Sequence, residues 1–160
     1  FGENVNENRF VNDNKKYWVQ IGNSIIGKNN NDKYGKSVSI NYDGSIVAAS
    51  SEKFDNKRGY VSVFKYRALT NEELIYDSTI AFGDDTIKQL NKKYWVQMGN
   101  DLVGPSEQGK FGYDVKLNND GNILVVGAQE YNNNQGLVIA YEWDGENWNQ
   151  KGSMISGIKN

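Results

Sequence analysis

A chain of 160 residues sets an expectation of one domain or two small units, and 38% hydrophobic with 12% aromatic residues is enough apolar material for a core. A net charge of −2 with no long basic run removes the electrostatic footprint of a general nucleic-acid binder. With no Cys and no His, disulfides, thiolate metal sites, His-based triads and His-ligated zinc are excluded, so an enzyme would have to work with Asp, Glu, Lys, Tyr or Ser.

The chain opens on Phe1 rather than Met and shows no signal-peptide pattern, which leads to the expectation of a processed protein or a piece of a longer one. No apolar stretch reaches the roughly 18 residues a membrane helix needs, so no membrane span is expected. Asn clusters such as NENRFVNDNK, GKNNND and YNNNQG suit loops, because Asn tolerates left-handed backbone and caps turns. No Asn-x-Ser/Thr sequon occurs, which argues against a glycosylated surface protein.

The first strongly patterned segment is KKYWVQIGN at 15–23, and it returns as KKYWVQMGN at 92–100, an offset of 77. A third copy follows in looser form. Trp18, Gln20 and Gly22 match Trp95, Gln97 and Gly99, and both sets match Trp148, Gln150 and Gly152. Ile25 and Gly27, Leu102 and Gly104, and Ile155 and Gly157 continue in step. The shared pattern is W-x-Q-x-G-x-x-[IL]-x-G. A catalytic motif rarely needs a second copy, whereas a building block does.

After the first copy comes YGKSVSINYDGSIVAAS at 34–50, which aligns with FGYDVKLNNDGNILVVG at 111–127. SVSINY alternates apolar and polar residues with period two and predicts a strand over 36–42. Asp43-Gly44 and Asp120-Gly121 are hairpin signals, since such turns need positive φ. The apolar runs at 45–50 and 122–127 suit central strands covered on both faces. GYVSVFKY at 59–66 and GLVIAYEW at 136–143 alternate again. Adjacent antiparallel strands are therefore expected over 36–42, 45–50 and 59–66, and over 113–118, 122–127 and 136–143. Between 65 and 93 the first unit carries an insertion that the second lacks. LTNEEL within it suits at most one helical turn, and no segment shows a sustained helical period. YEWDGENWNQ is a further Asp-Gly hairpin leading into the W-x-Q strand.

Four strands per unit of about 53 residues match the anatomy of a propeller blade. The order W-x-Q-x-G, [FY]-G-x-[SD]-V, D-G-x-[IL]-[VL]-[VA], G-x-V-x-[VA]-[FY] resembles the FG-GAP family of β-propeller repeats, in its Trp- and Gln-containing branch. The resemblance covers nearly the whole chain apart from the insertion. It implies an all-β fold of four-stranded antiparallel blades around an axis. On that pattern residues 1–33 are the outer strand of a preceding blade and its lead-in. Residues 34–104 form one blade with the insertion at 65–93, 105–157 form a second, and 158–160 are a tail. About two blades and part of a third cannot close a propeller, so the chain is expected to be a fragment of a larger one or to be completed by other chains.

Tyr34-Gly35, Phe111-Gly112 and the three Trp residues are then expected to stack between blades, with the glycines allowing close backbone approach. Integrin-type FG-GAP blades hold calcium in a loop of the kind D-x-[DN]-x-D-G-x-x-D. Here the loops read Ser39-x-Asn41-x-Asp43-Gly44-x-x-Val47 and Lys116-x-Asn118-x-Asp120-Gly121-x-x-Leu124, so the first and last acidic ligands are missing. Both are expected to be plain hairpins without metal. GKNNNDKYGKS lacks P-loop spacing. The carboxylate pairs Glu72-Glu73 and Asp84-Asp85 suit solvated loops, and Lys15-Lys16 and Lys92-Lys93 suit charged flanks of an outer strand.

No catalytic, cofactor or metal residues are therefore expected. The leading expectation is a non-enzymatic propeller module for protein–protein association or structural assembly. Its partners would be the remaining blades of a longer chain, identical chains or a larger complex, with no nucleic acid. The alternative is a carbohydrate-binding, lectin-like propeller whose Trp, Tyr and Asn residues line glycan pockets. A third reading is a carboxylate-only glycosidase on a propeller scaffold.

Overall fold

The computed structural model describes residues 17–70, 73 and 92–158. The fold is all-β, built from two antiparallel blade-like sheets. The first holds β1 (Tyr34–Ile40), β2 (Ile46–Ser51), β3 (Tyr60–Ala68), β4 (Lys93–Gln97) and the short β5 (Leu102–Val103). They pair in the order β1-β2-β3-β4, with β5 also on β3. The second sheet holds β6 (Phe111–Leu117), β7 (Ile123–Ala128), β8 (Leu137–Trp143), β9 (Trp148–Gln150) and β10 (Ile155–Ser156). It repeats the arrangement as β6-β7-β8, with β9 and β10 both on β8. Register repeats too. Ala48 pairs with Val63 in the first sheet, and Val125 pairs with Ala140 in the second. The expected strand triplets are therefore present, with ends shifted by at most two residues.

The hairpins at Asp43-Gly44 and Asp120-Gly121 differ from the two-residue turns their sequence suggests. Asn41 Oδ1 accepts the Ile46 amide at 2.9 Å, and Asn118 Oδ1 accepts the Ile123 amide at 2.9 Å. These side-chain bonds close a longer loop in which Gly44 (φ 74°) and Gly121 (φ 73°) take the left-handed position while Asp43 and Asp120 do not.

Each β2–β3 or β7–β8 connection contains a single turn, Phe54–Lys57 or Tyr131–Asn134. These turns are not ordinary helices. Asp55, Asn56 and Lys57, like Asn132, Asn133 and Asn134, have positive φ, a conformation that Asp and Asn adopt more readily than other side chains. The Asn-rich YNNNQG loop is where that residue preference is expressed.

One core lies between the two sheets. Ile46, Ala48, Val61, Val63 and Met98 from the first meet Phe111, Val115, Leu124, Val126, Leu137, Ile139 and Trp148 from the second. Strand β6 is the piece laid against the first sheet. Ser50 Oγ donates to Gly112 O at 2.6 Å, and the Phe111 amide donates to Arg58 O at 3.1 Å. Ser37 and Ser39 hydroxyls accept the Val115 and Leu117 amides at 3.1 and 2.9 Å. Contact is closest at Gly59, where an added methyl would lie 2.0 Å from Phe111 O.

β2 is covered on both faces, as its apolar run suggests. β7 is not. Val125, on the face away from the core, is 38% exposed. At the mouth of the insertion, Arg67 forks onto Glu73 at 2.8 and 2.7 Å, and Thr70 and Glu73 exchange bonds in a capping box. The remainder of the insertion, including Glu72 and the Asp84-Asp85 pair, lies outside the described residues.

Two outcomes follow. Gly59 (φ 80°) and Gly136 (φ 78°) occupy equivalent positions, but nothing approaches a methyl at Gly136 closer than 3.8 Å. Gly136→Ala is expected to cost about 1–2 kcal/mol of backbone strain, and Gly59→Ala a further ~1–3 kcal/mol from overpacking, as read by urea denaturation. The second concerns pH. The Arg67 hydrogen bond, foremost, holds the Glu73 carboxyl down at about 2, from 4.5. A folded-state pKa below the unfolded one means the pair's contribution is present above pH 4.5 and is lost as pH falls toward 2. Arg67→Ala should return the Glu73 titration midpoint toward 4.5, measured by carboxyl NMR.

Candidate functional site

The repeat residues build one recurring clasp. Trp148 is buried, its ring 5.4 Å from that of Trp143, and its indole N–H donates to Met98 O at 3.2 Å. Met98 lies three residues past Trp95. The Trp95 indole N–H in turn donates to Ile21 O at 3.1 Å, and Ile21 lies three residues past Trp18. Trp95 and Trp148 thus each bond the carbonyl between Gln and Gly in the copy before. The glycine after that carbonyl fits beneath the aromatic residues. Methyls at Gly22 and Gly99 would lie 3.0 Å from Trp95 and from Trp143. The Gln residues close the loop that follows them. Gln20 reaches Ser24 at 3.3 Å, Gln97 reaches Asp101 at 2.8 Å, and Gln150 reaches Gly152 O at 2.8 Å.

The aromatic–glycine pairs form a second contact. A methyl at Gly27 would lie 2.5 Å from Tyr34 Cβ, and one at Gly104 would lie 2.6 Å from Phe111 Cβ. Phe111 is fully buried against the first sheet, and Gly112 rests on Ser50 and Tyr60. Tyr34 stacks on Tyr60 with ring centroids 5.5 Å apart, and burial pushes its phenol up to about 12. Gly35 has open space around it. So Phe111-Gly112 and Trp148 stand between the sheets, as the sequence implies. Trp95 packs against residues 21–23, which form no strand, and Trp18 is fully exposed.

Asp101 is a buried anchor that the repeat pattern does not reveal, because Ser24 and Met154 hold its place in the other copies. It accepts from Ser62 Oγ at 2.6 Å and from Gln97, and it pairs with Lys28. This ties the lead-in segment to β3 and to the W-x-Q loop.

Two open surfaces bear on function. A polar cleft of about 510 Å³ lies between the hairpins, lined by Tyr42, Asp43, Lys65, Asn119 and Asp120 among others. Tyr42 is 88% exposed there. The Ser45 hydroxyl and amide hold the Asp43 carboxyl below the usual range, at 2.6 and 2.9 Å. An apolar groove of about 410 Å³ lies on the outer face of the second sheet, lined by Tyr113, Gly127, Val138, Gln135, Ile155 and Gly157 among others. Among the described residues no three carboxylates converge on a point that would hold a metal ion.

The fold and its contacts define a repeat of all-β, blade-like sheets joined by Trp–carbonyl and aromatic–glycine contacts. No protein-family model matches the chain, and no curated protein is significantly similar to it.

Asn41 Oδ1, Asp43 Oδ1 and Asn118 Oδ1 are committed to amides and hydroxyls of their own loops, and each loop offers a cation one carboxylate. Calcium at millimolar concentration is therefore expected to leave the melting temperature unchanged. A rise of several degrees that a chelator reverses would contradict this.

Proposed function

We propose that this chain is a non-enzymatic module of an FG-GAP-type β-propeller, used for protein–protein association or structural assembly. One observation carries the reading. In the first sheet Ile46, Ala48, Val61 and Val63 are 7, 0, 0 and 2% exposed beneath the second sheet. The equivalent face of the second sheet presents Ile123, Val125, Val138 and Ala140, of which Val125 and Val138 are each 38% exposed. Ile155 beside them is 69% exposed. An apolar strand face of this kind is normally covered by another protein surface.

The lectin-like reading has its own observation. The cleft between the hairpins sets an exposed Tyr42 ring among Asp43, Asn119, Asp120 and Lys65, and an aromatic platform beside hydrogen-bonding groups suits a sugar ring. We rank it second because Asp43 Oδ1 already accepts two bonds from Ser45. The carboxylate-only glycosidase reading has no observation favouring it.

A glycan array and a panel of glycoside substrates separate these readings. The association reading expects no retained glycan and no turnover. Glycan binding that Tyr42→Ala abolishes would move the function to the cleft, and turnover lost in Asp43→Asn or Asp120→Asn would make the chain an enzyme.

A further inference from the structure

The groove on the second sheet is the same construction that, on the first sheet, receives Phe111 and Gly112. In the first sheet the incoming segment 105–117 donates along the turn. The Gln108, Lys110 and Phe111 amides bond to Asn56, Lys57 and Arg58 carbonyls at 3.0, 2.8 and 3.1 Å. The aromatic ring is backed by Gly104, whose amide bonds to Gly59 O at 3.0 Å.

The second sheet repeats the turn and the glycine of this frame. Asn133, Asn134 and Gln135 stand in place of Asn56, Lys57 and Arg58, in the same left-handed turn. Gly157 stands in place of Gly104, with its amide on Gly136 O at 3.3 Å. A methyl at Gly104 would meet Arg58 O at 2.3 Å, and one at Gly157 would meet Gln135 O at 2.2 Å. The difference is the aromatic partner. Gly27 has Tyr34 and Gly104 has Phe111, whereas only Gln135 approaches Gly157. Likewise Gly22 and Gly99 lie under Trp rings, and Gly152 has nothing within 4 Å.

We infer that the outer face of the second sheet is a socket for one further unit of the same repeat, a sheet whose first strand opens on an aromatic–glycine pair. This rests on the association reading and names its partner. The aromatic ring enters the groove against Gly157 and Val138. The following apolar side chain covers Val125, and the unit's W-x-Q tryptophan donates to the Lys151 carbonyl, the position equivalent to Ile21 and Met98. Three substitutions tune the socket. Asp114 replaces Ser37 and keeps an acceptor oxygen at that place. Gly127 replaces Ser50, which widens the groove and removes one hydroxyl donor. Lys116 replaces Ser39, so an incoming strand forgoes one amide acceptor there.

The probe is a synthetic peptide of residues 105–118, PSEQGKFGYDVKLN, titrated into the isotope-labelled full chain. Saturable NMR shifts are expected at Val125, Gly127, Gly136, Val138 and Gly157, with none on the first sheet. Gly112→Ala or Phe111→Ala in the peptide should weaken binding about tenfold or more. Val125→Lys in the chain should do the same while the melting temperature holds, and because the peptide variants leave the chain untouched the test does not depend on that variant folding. The inference is overturned if no saturable shift arises at millimolar peptide, or if the Gly112→Ala peptide binds equally well. Either result leaves the association reading standing, since that reading falls only to glycan binding or turnover.

Discussion

The structure depends on how closely two sheets approach where Phe111 and Gly112 cross Gly59 and Ser50. A sheet of this kind is flat and apolar on both faces, so a lone copy leaves one face in water. Close approach needs glycine at the crossing, because a methyl at Gly59 would collide with a backbone carbonyl. Once the backbones touch, the Phe111 ring is enclosed, the serine hydroxyls of β1 reach the amides of β6, and Ile46, Ala48, Val61 and Val63 lose contact with water. Burial of side chains this size contributes on the order of 1.5–3 kcal/mol each, so the crossing decides whether the core forms.

The tryptophan clasp works at the outer edge of the same interface. It bonds the second and third W-x-Q strands to the copy before each, in addition to their pairing with their own sheets. That explains why the motif recurs with so little variation in Trp, Gln and Gly while the residues between them drift. Trp needs a carbonyl for its N–H when buried, the glycine makes room for the ring, and Gln closes the loop that carries the carbonyl.

Much of this was legible in the letters. The offset of 77 between the two long repeats predicts both strand triplets and both hairpins, because a copied pattern of period-two residues and Asp-Gly pairs has one economical fold. Three features were not legible. The left-handed turns at Phe54–Lys57 and Tyr131–Asn134 depend on three successive residues sharing an unusual φ, whereas the sequence shows only that Asn permits it. Asp101 is a polar anchor in one copy alone, so repetition conceals it. The unequal cover of β2 and β7 is invisible in principle. The two strands have matching apolar runs, and what differs is the number of neighbours, which is a property of the assembly rather than of the strand.

The claim that the two sheets are copies in unequal surroundings is tested most directly by one pair of substitutions, Val61→Lys and Val138→Lys, compared by urea denaturation. Val61 is fully buried and Val138 is 38% exposed at the equivalent position. The account predicts that Val61→Lys costs several kcal/mol, about 3 or more, because its ammonium has no partner in the core. It predicts that Val138→Lys stays within about 0.5 kcal/mol of the parent. Equal losses at the two positions would contradict it.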